Sequence, residues 1–293
     1  MASHINRAIE LLQQDQAIYY TGGHSGHVLT YPQGREDAHV WADYINVGME
    51  HGAFDMAGLA EYMRGLVDGG PTRSGHRTPT VIVEAPVNGI NEEYILYNAW
   101  QFRVILGRGV HGILLCQAEA ADAVKEFVRA CRFPHHKVGT DKLGAGTRGR
   151  GSEPTASPVW GLEQQEYFSR CEPWPLNSQG ELLLGVKIES PPGVANCEEI
   201  LAVPGLGFAE LGPGDLGLSL GYTSLQRRPY PAEMERARSK VFAACKKNKL
   251  AFLEGATPDK IAASLDEGVR VISGHNPETA KVGRAHQKRT MPV

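Results

Sequence analysis

The hydrophobic positions of the chain fall into short continuous runs separated by longer stretches of helical period. Eight runs stand out: 17–22 (AIYYTG), Tyr44–Met49, 80–89 (TVIVEAPVNG), 111–117 (HGILLCQ), Leu182–Ile188, Leu206–Leu211, 249–256 (KLAFLEGA) and 269–274 (VRVISG). Their length, β-branched content and flanking glycines and prolines predict buried strands. Between them, 92–106 aligns Ile95, Ala99, Phe102 and Leu106 on one helical face, and 120–132 does the same with Val124, Phe127, Val128 and Cys131. Tyr97, Trp100 and Val104 give the first of these helices a second apolar side, which points to a subunit contact. Eight strands, mostly followed by helices and without a second composition regime, predict a closed (β/α)8 TIM barrel over an open doubly wound sheet. The whole chain, 1–293, reads as one such domain.

Three segments interrupt the pattern. Ile5–Leu12 is a short amphipathic helix. Residues 23–35 are polar, broken by Pro32, and read as a loop whose His24 and His27 are loop histidines. Residues 135–180 form a long insertion containing GAGTRGRGSEPTASP; such connections serve as lids, binding segments or interface arms, and a flexible linker is the alternative.

Charge narrows the function. With 30 Lys+Arg against 33 Asp+Glu the net charge is −3, which gives no electrostatic footprint for nucleic acid. No apolar run reaches the length of a membrane span, and the N-terminus lacks the pattern of a secretory signal, so a cytoplasmic protein is expected. The five scattered cysteines never form a CxxC pair and read as reduced residues.

In a barrel, chemistry collects at the C-terminal strand ends. Here those ends carry Glu50 and His51, Glu84, Gln117, Lys187 and Glu189, Asp215, Glu254 and His275. Lys187 and Glu189 alternate onto the same inward face. Glu189 and Asp215 lie about one βαβ repeat apart, which places two carboxylates side by side on neighbouring strands. Such a pair suits a hard divalent cation; the same residues would also serve as a helix N-cap and a solvated rim acid in any βαβ unit. Glu254 and His275 read as rim residues held in salt bridges.

Five motifs in this order, MEHG (Met49–Gly52), ACRFP (Ala130–Pro134), VKIES (Val186–Ser190), AVPGL (Ala202–Leu206) and GPGDLGLSLGY (Gly212–Tyr222), resemble the HpcH/HpaI aldolase family. This is the 2,4-dihydroxyhept-2-ene-1,7-dioate aldolase family of the phosphoenolpyruvate/pyruvate-domain barrels. The resemblance implies a lyase that binds a 2-oxo acid such as pyruvate through a divalent ion, Mg²⁺ or Mn²⁺ first and Co²⁺ as a further candidate. Glu189 and Asp215 match the metal carboxylates and His51 the catalytic histidine, with the backbone of Gly212, Pro213 and Gly214 on the substrate carboxylate. The metal would polarise the oxo group and stabilise an enolate. A homo-oligomer, trimer or hexamer, is expected.

Three positions depart from the family pattern: Gly48 replaces an aspartate three residues before the histidine, Glu84 an arginine, and Lys187 a glutamine. The expected consequence is a rebuilt acid/base apparatus around a retained metal centre, in which Glu84 and Lys187 form an ion pair and Lys187 faces the enolate oxygen. Gln117 is a candidate substrate contact, and Arg148 or Arg150, of the same barrel or of a neighbouring subunit, is expected to replace the missing arginine at a ligand carboxylate. Decarboxylation, tautomerisation or condensation at the same enolate, or a silent metal- and ligand-binding relative, are the alternatives.

Overall fold

The computed structural model describes residues 4–273 and 276–293. His275, one of the strand-end candidates, lies outside the described residues. Nine parallel strands are present among them: β1 (Ile18–Gly23), β2 (Tyr44–Gly48), β3 (Thr80–Asn88), β4 (Gly112–Cys116), β5 (Pro173–Trp174), β6 (Leu182–Ile188), β7 (Phe208–Leu211), β8 (Ala251–Gly255) and β9 (Val271–Ser273). Their order is β4-β3-β2-β1-β9-β8-β7-β6, and pairing of β4 with β6 closes the ring. β5 only extends the beginning of β6. The fold is therefore an eight-stranded parallel barrel wrapped in helices, the (β/α)8 TIM barrel that the pattern predicts.

The helices are α1 (Arg7–Gln13), α2 (Tyr31–Asp37), α3 (Met56–Gly69), α4 (Glu92–Leu106), α5 (Ala121–Cys131), α6 (Thr140–Leu143), α7 (Glu153–Trp160), α8 (Gln164–Arg170), α9 (Pro191–Ile200), α10 (Pro213–Ser219), α11 (Ala232–Asn248), α12 (Ile261–Glu267) and α13 (Pro277–His286). Because strand side chains alternate, the core splits in two. Ile18, Tyr20, Tyr44, Ile82, Leu114, Leu183, Phe208, Leu253 and Val271 fill the barrel interior, and Ala8, Ile9 and Leu11 of α1 plug it from below. The other faces of the strands pack under the helices, where Ile95, Phe102, Val124, Phe127, Val128 and Cys131 are buried as their spacing predicts. α4 leaves Tyr97 83% exposed and Trp100 46% exposed.

Two readings change. Residues 31–37 are helical, not loop: Thr30 caps α2 and Pro32 sits in its first turn, where a proline costs no hydrogen bond. The long segment after α5 holds three short helices and lies at the N-terminal end of the barrel, since α5 has already run back from the mouth. Arg148 N–H donates to the Arg132 carbonyl just past α5, and Arg132 pairs with Glu172 beside the start of β6. All five cysteines are free and buried. No helix among the described residues is long and apolar enough to cross a membrane.

Candidate active site

The upper layer of the barrel interior is polar. Register pairs Lys187 of β6 with Glu210 of β7, and Gly48 of β2 with Glu84 of β3. Lys187 Nζ meets the carboxylate of Glu84 and donates to Glu50 Oε2 at 2.6 Å, just beyond β2. The anticipated pairing of Lys187 with Glu84 is present, and Glu50 joins it. Four carboxylates, Glu50, Glu84, Glu189 and Glu210, thus share one lysine.

The imbalance shows in the protonation energetics. Burial acts to raise the Glu84 carboxyl, but the hydrogen bond from His24 and the charge of Lys187 outweigh it and hold the carboxyl below its ordinary range. Glu189 and Glu210 lack such a partner. Burial, aided by neighbouring carboxylates, pushes them up to about 8 and about 7 despite Lys187. Lys187 is itself buried, which alone would lower it; the surrounding acids, Glu210 foremost, keep its ammonium firmly protonated.

Glu189 is placed with care. Its Oε1 accepts the Gln117 backbone N–H at 2.7 Å, and Gln117 takes a left-handed backbone (φ 43) at the end of β4. A Cβ on Gly212 would lie 2.3 Å from Glu189 Oε2, so only glycine lets the carboxylate stand there. The Gln117 side chain accepts from Asn88 Nδ2 at 3.0 Å. Gly212–Gly214 form the entry to α10, with Asp215 in its first turn.

Side-chain donors of Glu50, His51 and Asp215 lie within 4.8 Å of one another, as do those of Glu50, Cys116 and Glu189. Glu50 is common to both groups and so links the two carboxylates that sequence pairing singles out. His51 is 53% exposed, with Nε2 3.7 Å from Glu50. The donor set fits a hard divalent cation: it is rich in carboxylate oxygen, carries surplus negative charge, and includes a thiol that burial holds protonated.

Two predicted residues fall elsewhere. Arg148 is fully buried at the N-terminal end, donating to Cys171 Sγ, Ser152 and Tyr167 and lying over the Phe133 ring. Arg150 is exposed there, paired with Glu153 and over Phe168. A cavity of about 390 Å³ lined by Phe133, His135, both arginines and Phe168 lies at that end, away from the mouth carboxylates. The expectation that either arginine serves the mouth of its own barrel is therefore corrected: a connection that follows a helix returns to the wrong end. Glu254 is a rim acid held by Arg228 and Arg238, as its position predicts.

Glu50 enters the sequence reading only as a strand-end acid, and Glu210 and His24 carry no role in it. Glu210 follows from alternation along β7 and was legible in principle. His24 follows β1 directly and places Nδ1 at 2.8 and 2.9 Å from the two Glu84 oxygens, while His27 turns away to Asp37 and Tyr62.

The family model described as HpcH/HpaI aldolase/citrate lyase matches residues 82–271. The chain belongs to that family. It is accordingly a lyase. A hydroxypyruvate/pyruvate aldolase from Roseobacter denitrificans is 26% identical over 231 residues, covering 79% of this chain and 76% of that protein. Among solved structures, a family protein from Burkholderia cenocepacia J2315 superposes with a TM-score of 0.70 at 22% identity, covering 97% of each chain. The citrate lyase beta subunit from M. tuberculosis, complexed with oxaloacetate and magnesium, gives a TM-score of 0.53 at 16% identity, covering 92% of this chain and 96% of that one. These two likenesses concern the fold.

Proposed function

We propose that the chain is a divalent-metal-dependent aldolase that makes or breaks a carbon–carbon bond through the enolate of a 2-oxo acid such as pyruvate. The observation that carries this reading is the surplus of carboxylates around Lys187. Buried charge without a counter-charge is costly, and a cation at the mouth would relieve it. The name of the Roseobacter relative and the magnesium and oxaloacetate of the M. tuberculosis protein support the same chemistry.

Glu189 and Asp215, joined by Glu50, would hold Mg²⁺ or Mn²⁺. A cation held there would act as a Lewis acid on the 2-oxo group. Lys187 presents an ammonium where negative charge develops on the enolate oxygen, and its position is maintained by Glu50 and Glu84. Its firm protonation disfavours a Schiff-base role, which needs a free amine. The backbone of Gly212–Gly214 faces the substrate carboxylate, Gln117 lines the same edge, and the resemblance gives a proton-transfer role to His51. Self-association is supported by the exposed Leu96, Tyr97 and Trp100 of α4.

Exchange of pyruvate methyl protons with solvent deuterium tests the reading. With Mn²⁺ the protein should exchange them, and Lys187→Gln should slow exchange by about 100–1,000-fold while metal affinity is retained. Exchange that persists in a chelator, or a pyruvate adduct trapped by borohydride, would exclude the metal-dependent mechanism.

A further inference from the structure

The turn after β1 enters the mouth because Gly48 has no side chain. A Cβ at that position would stand 2.2 Å from the Gly23 carbonyl oxygen and 2.3 Å from that of His24. Residues 23–26 close on themselves through a Gly23–Gly26 bridge, and the His51 N–H reaches the His24 carbonyl at 3.4 Å. The glycine at 48 is thus the steric condition for His24 to stand over Glu84. Two features that look independent along the chain, a missing side chain at 48 and an acid at 84, are one arrangement.

His51 and His24 differ in how their rings are held. Beside His51 the nearest carboxylate is Glu50, 3.7 Å away and already engaged by Lys187; the position three residues earlier is a glycine with no room for an orienting acid. His24 has both oxygens of Glu84 on Nδ1, and Glu84 is anchored by Lys187 and by Asn46 Nδ2 at 3.5 Å. Since a carboxylate only accepts, Nδ1 carries the hydrogen, and in the neutral ring Nε2 is left with a lone pair. The short contacts of the ring are made by Nδ1, where Lys187 Nζ also stands at 3.5 Å, and the side chain is 46% exposed at the mouth.

We propose that His24, oriented by Glu84, is the proton-transfer group at the oxygen of the carbonyl partner, a role the resemblance gives to His51. The proposal rests on the enolate reading and specifies a substrate class: 4-hydroxy-2-oxo acids in cleavage, a 2-oxo acid and an aldehyde in condensation. In cleavage, Nε2 takes the proton of the C4 hydroxyl. The hydroxyl oxygen forms the carbonyl of the leaving aldehyde, the C3–C4 bond breaks, and its electron pair becomes the C2–C3 double bond of the enolate. The imidazolium then returns its proton to C3, so the products are an aldehyde and a 2-oxo acid with nothing else consumed. Glu84 is a positioning residue: it fixes the tautomer and stabilises the imidazolium.

The charged groups that face His24 are Glu84 from β3, Lys187 from β6 and Glu210 from β7. The Glu84 hydrogen bond raises the histidine above its ordinary value, against burial and Lys187.

The test uses the full-length protein with Mn²⁺ and 4-hydroxy-2-oxopentanoate. His24→Ala should lower kcat for cleavage by about 100-fold or more, and added imidazole should restore part of it, which also shows that the variant is folded. In the unaltered protein the acid limb of the cleavage profile should lie above the ordinary histidine value, and Glu84→Gln should move it down. Independently of turnover, the His24 ring in metal-free protein should titrate high by NMR and return toward the ordinary value in Glu84→Gln. Full cleavage by His24→Ala, or an unrescued loss together with an unshifted ring titration, would overturn the role of His24. Absence of pyruvate methyl exchange in the unaltered protein would remove the enolate reading itself, and the proposal with it.

Discussion

At the N-terminal end of the barrel one carboxylate, Asp43, is buried among Arg7, Arg284 and Arg289, whereas at the C-terminal end four glutamates share Lys187. Asp43 is fully engaged: Arg289 donates to both its oxygens at 2.8 and 2.9 Å, Arg284 stands at 3.3 Å, and the Tyr19 N–H donates at 3.0 Å. Burial would raise its carboxyl, but the arginines overcome this and hold it below the ordinary value. Nearby, Glu181 accepts from His4, Arg170 and the N–H groups of Ile5 and Asn6 and is likewise held low. At the mouth, Glu189 and Glu210 are pushed up to about 8 and about 7. Charges that find their partners inside the chain fasten α1 and the C-terminal segment beneath the barrel; those at the mouth that find none are pushed toward the neutral form.

The sharpest way to break the comparison is to remove the complete centre. Asp43→Asn leaves Arg7, Arg289 and the partly buried Arg284 around a neutral amide and should cost about 3–5 kcal/mol in urea unfolding, the usual result of stripping one partner from a buried pair. Turnover per folded molecule should be unchanged, because Asp43 is at the opposite end from the mouth. Loss of activity in folded Asp43→Asn would mean that the two ends do not divide stability from chemistry.

A smaller effect should appear in the pH dependence of stability, with opposite signs at the two ends. The depressed Asp43 carboxyl contributes stability that is present above its unfolded value of 3.8 and is lost as pH falls through the lower folded value. Glu210 does the reverse. Its folded carboxyl titrates at about 7 against 4.5 unfolded, so within that window the folded state binds the extra proton and stability declines as pH rises. Metal-free protein should lose roughly 1–3 kcal/mol between pH 5 and 7.5 through this group, and Glu210→Gln should reduce the slope to the part that Glu189, raised to about 8, contributes in the same direction. An unchanged slope in that variant would show that Glu210 is not the unpaired acid described here.

The barrel was legible because each strand is a short apolar run buried on both faces and most are followed by a helix with one apolar stripe. What escaped was structure without period. α2 was hidden by Pro32, which breaks a helix interior but is harmless in a first turn. The short helices α6 and α8 bury one residue each, and the buried face of α7 sets Glu153 and Ser157 beside Ala156 and Trp160, so none shows an apolar stripe. At the mouth, Glu189, Asp215, His51, Lys187 and Glu84 could be placed from strand ends and alternation, whereas the pairing of Lys187 with Glu84 rests on their departure from the family pattern. His24 could not, because its place depends on two turns meeting: the turn after β1 fits only where Gly48 offers bare backbone. Arg148 and Arg150 lie away from the mouth of their own barrel for a topological reason, since their segment follows α5 and belongs to the N-terminal end.

The account stands or falls on whether the surplus carboxylates at the mouth bind a divalent cation. Mn²⁺ titration of the protein beside Asp215→Asn and Glu189→Gln is the most direct measurement. We expect one site per chain, with affinity falling in each variant by at least the roughly 10–100-fold that loss of an outer-shell partner costs a metal site, and with the fold retained. Equal Mn²⁺ affinity in all three proteins would contradict it.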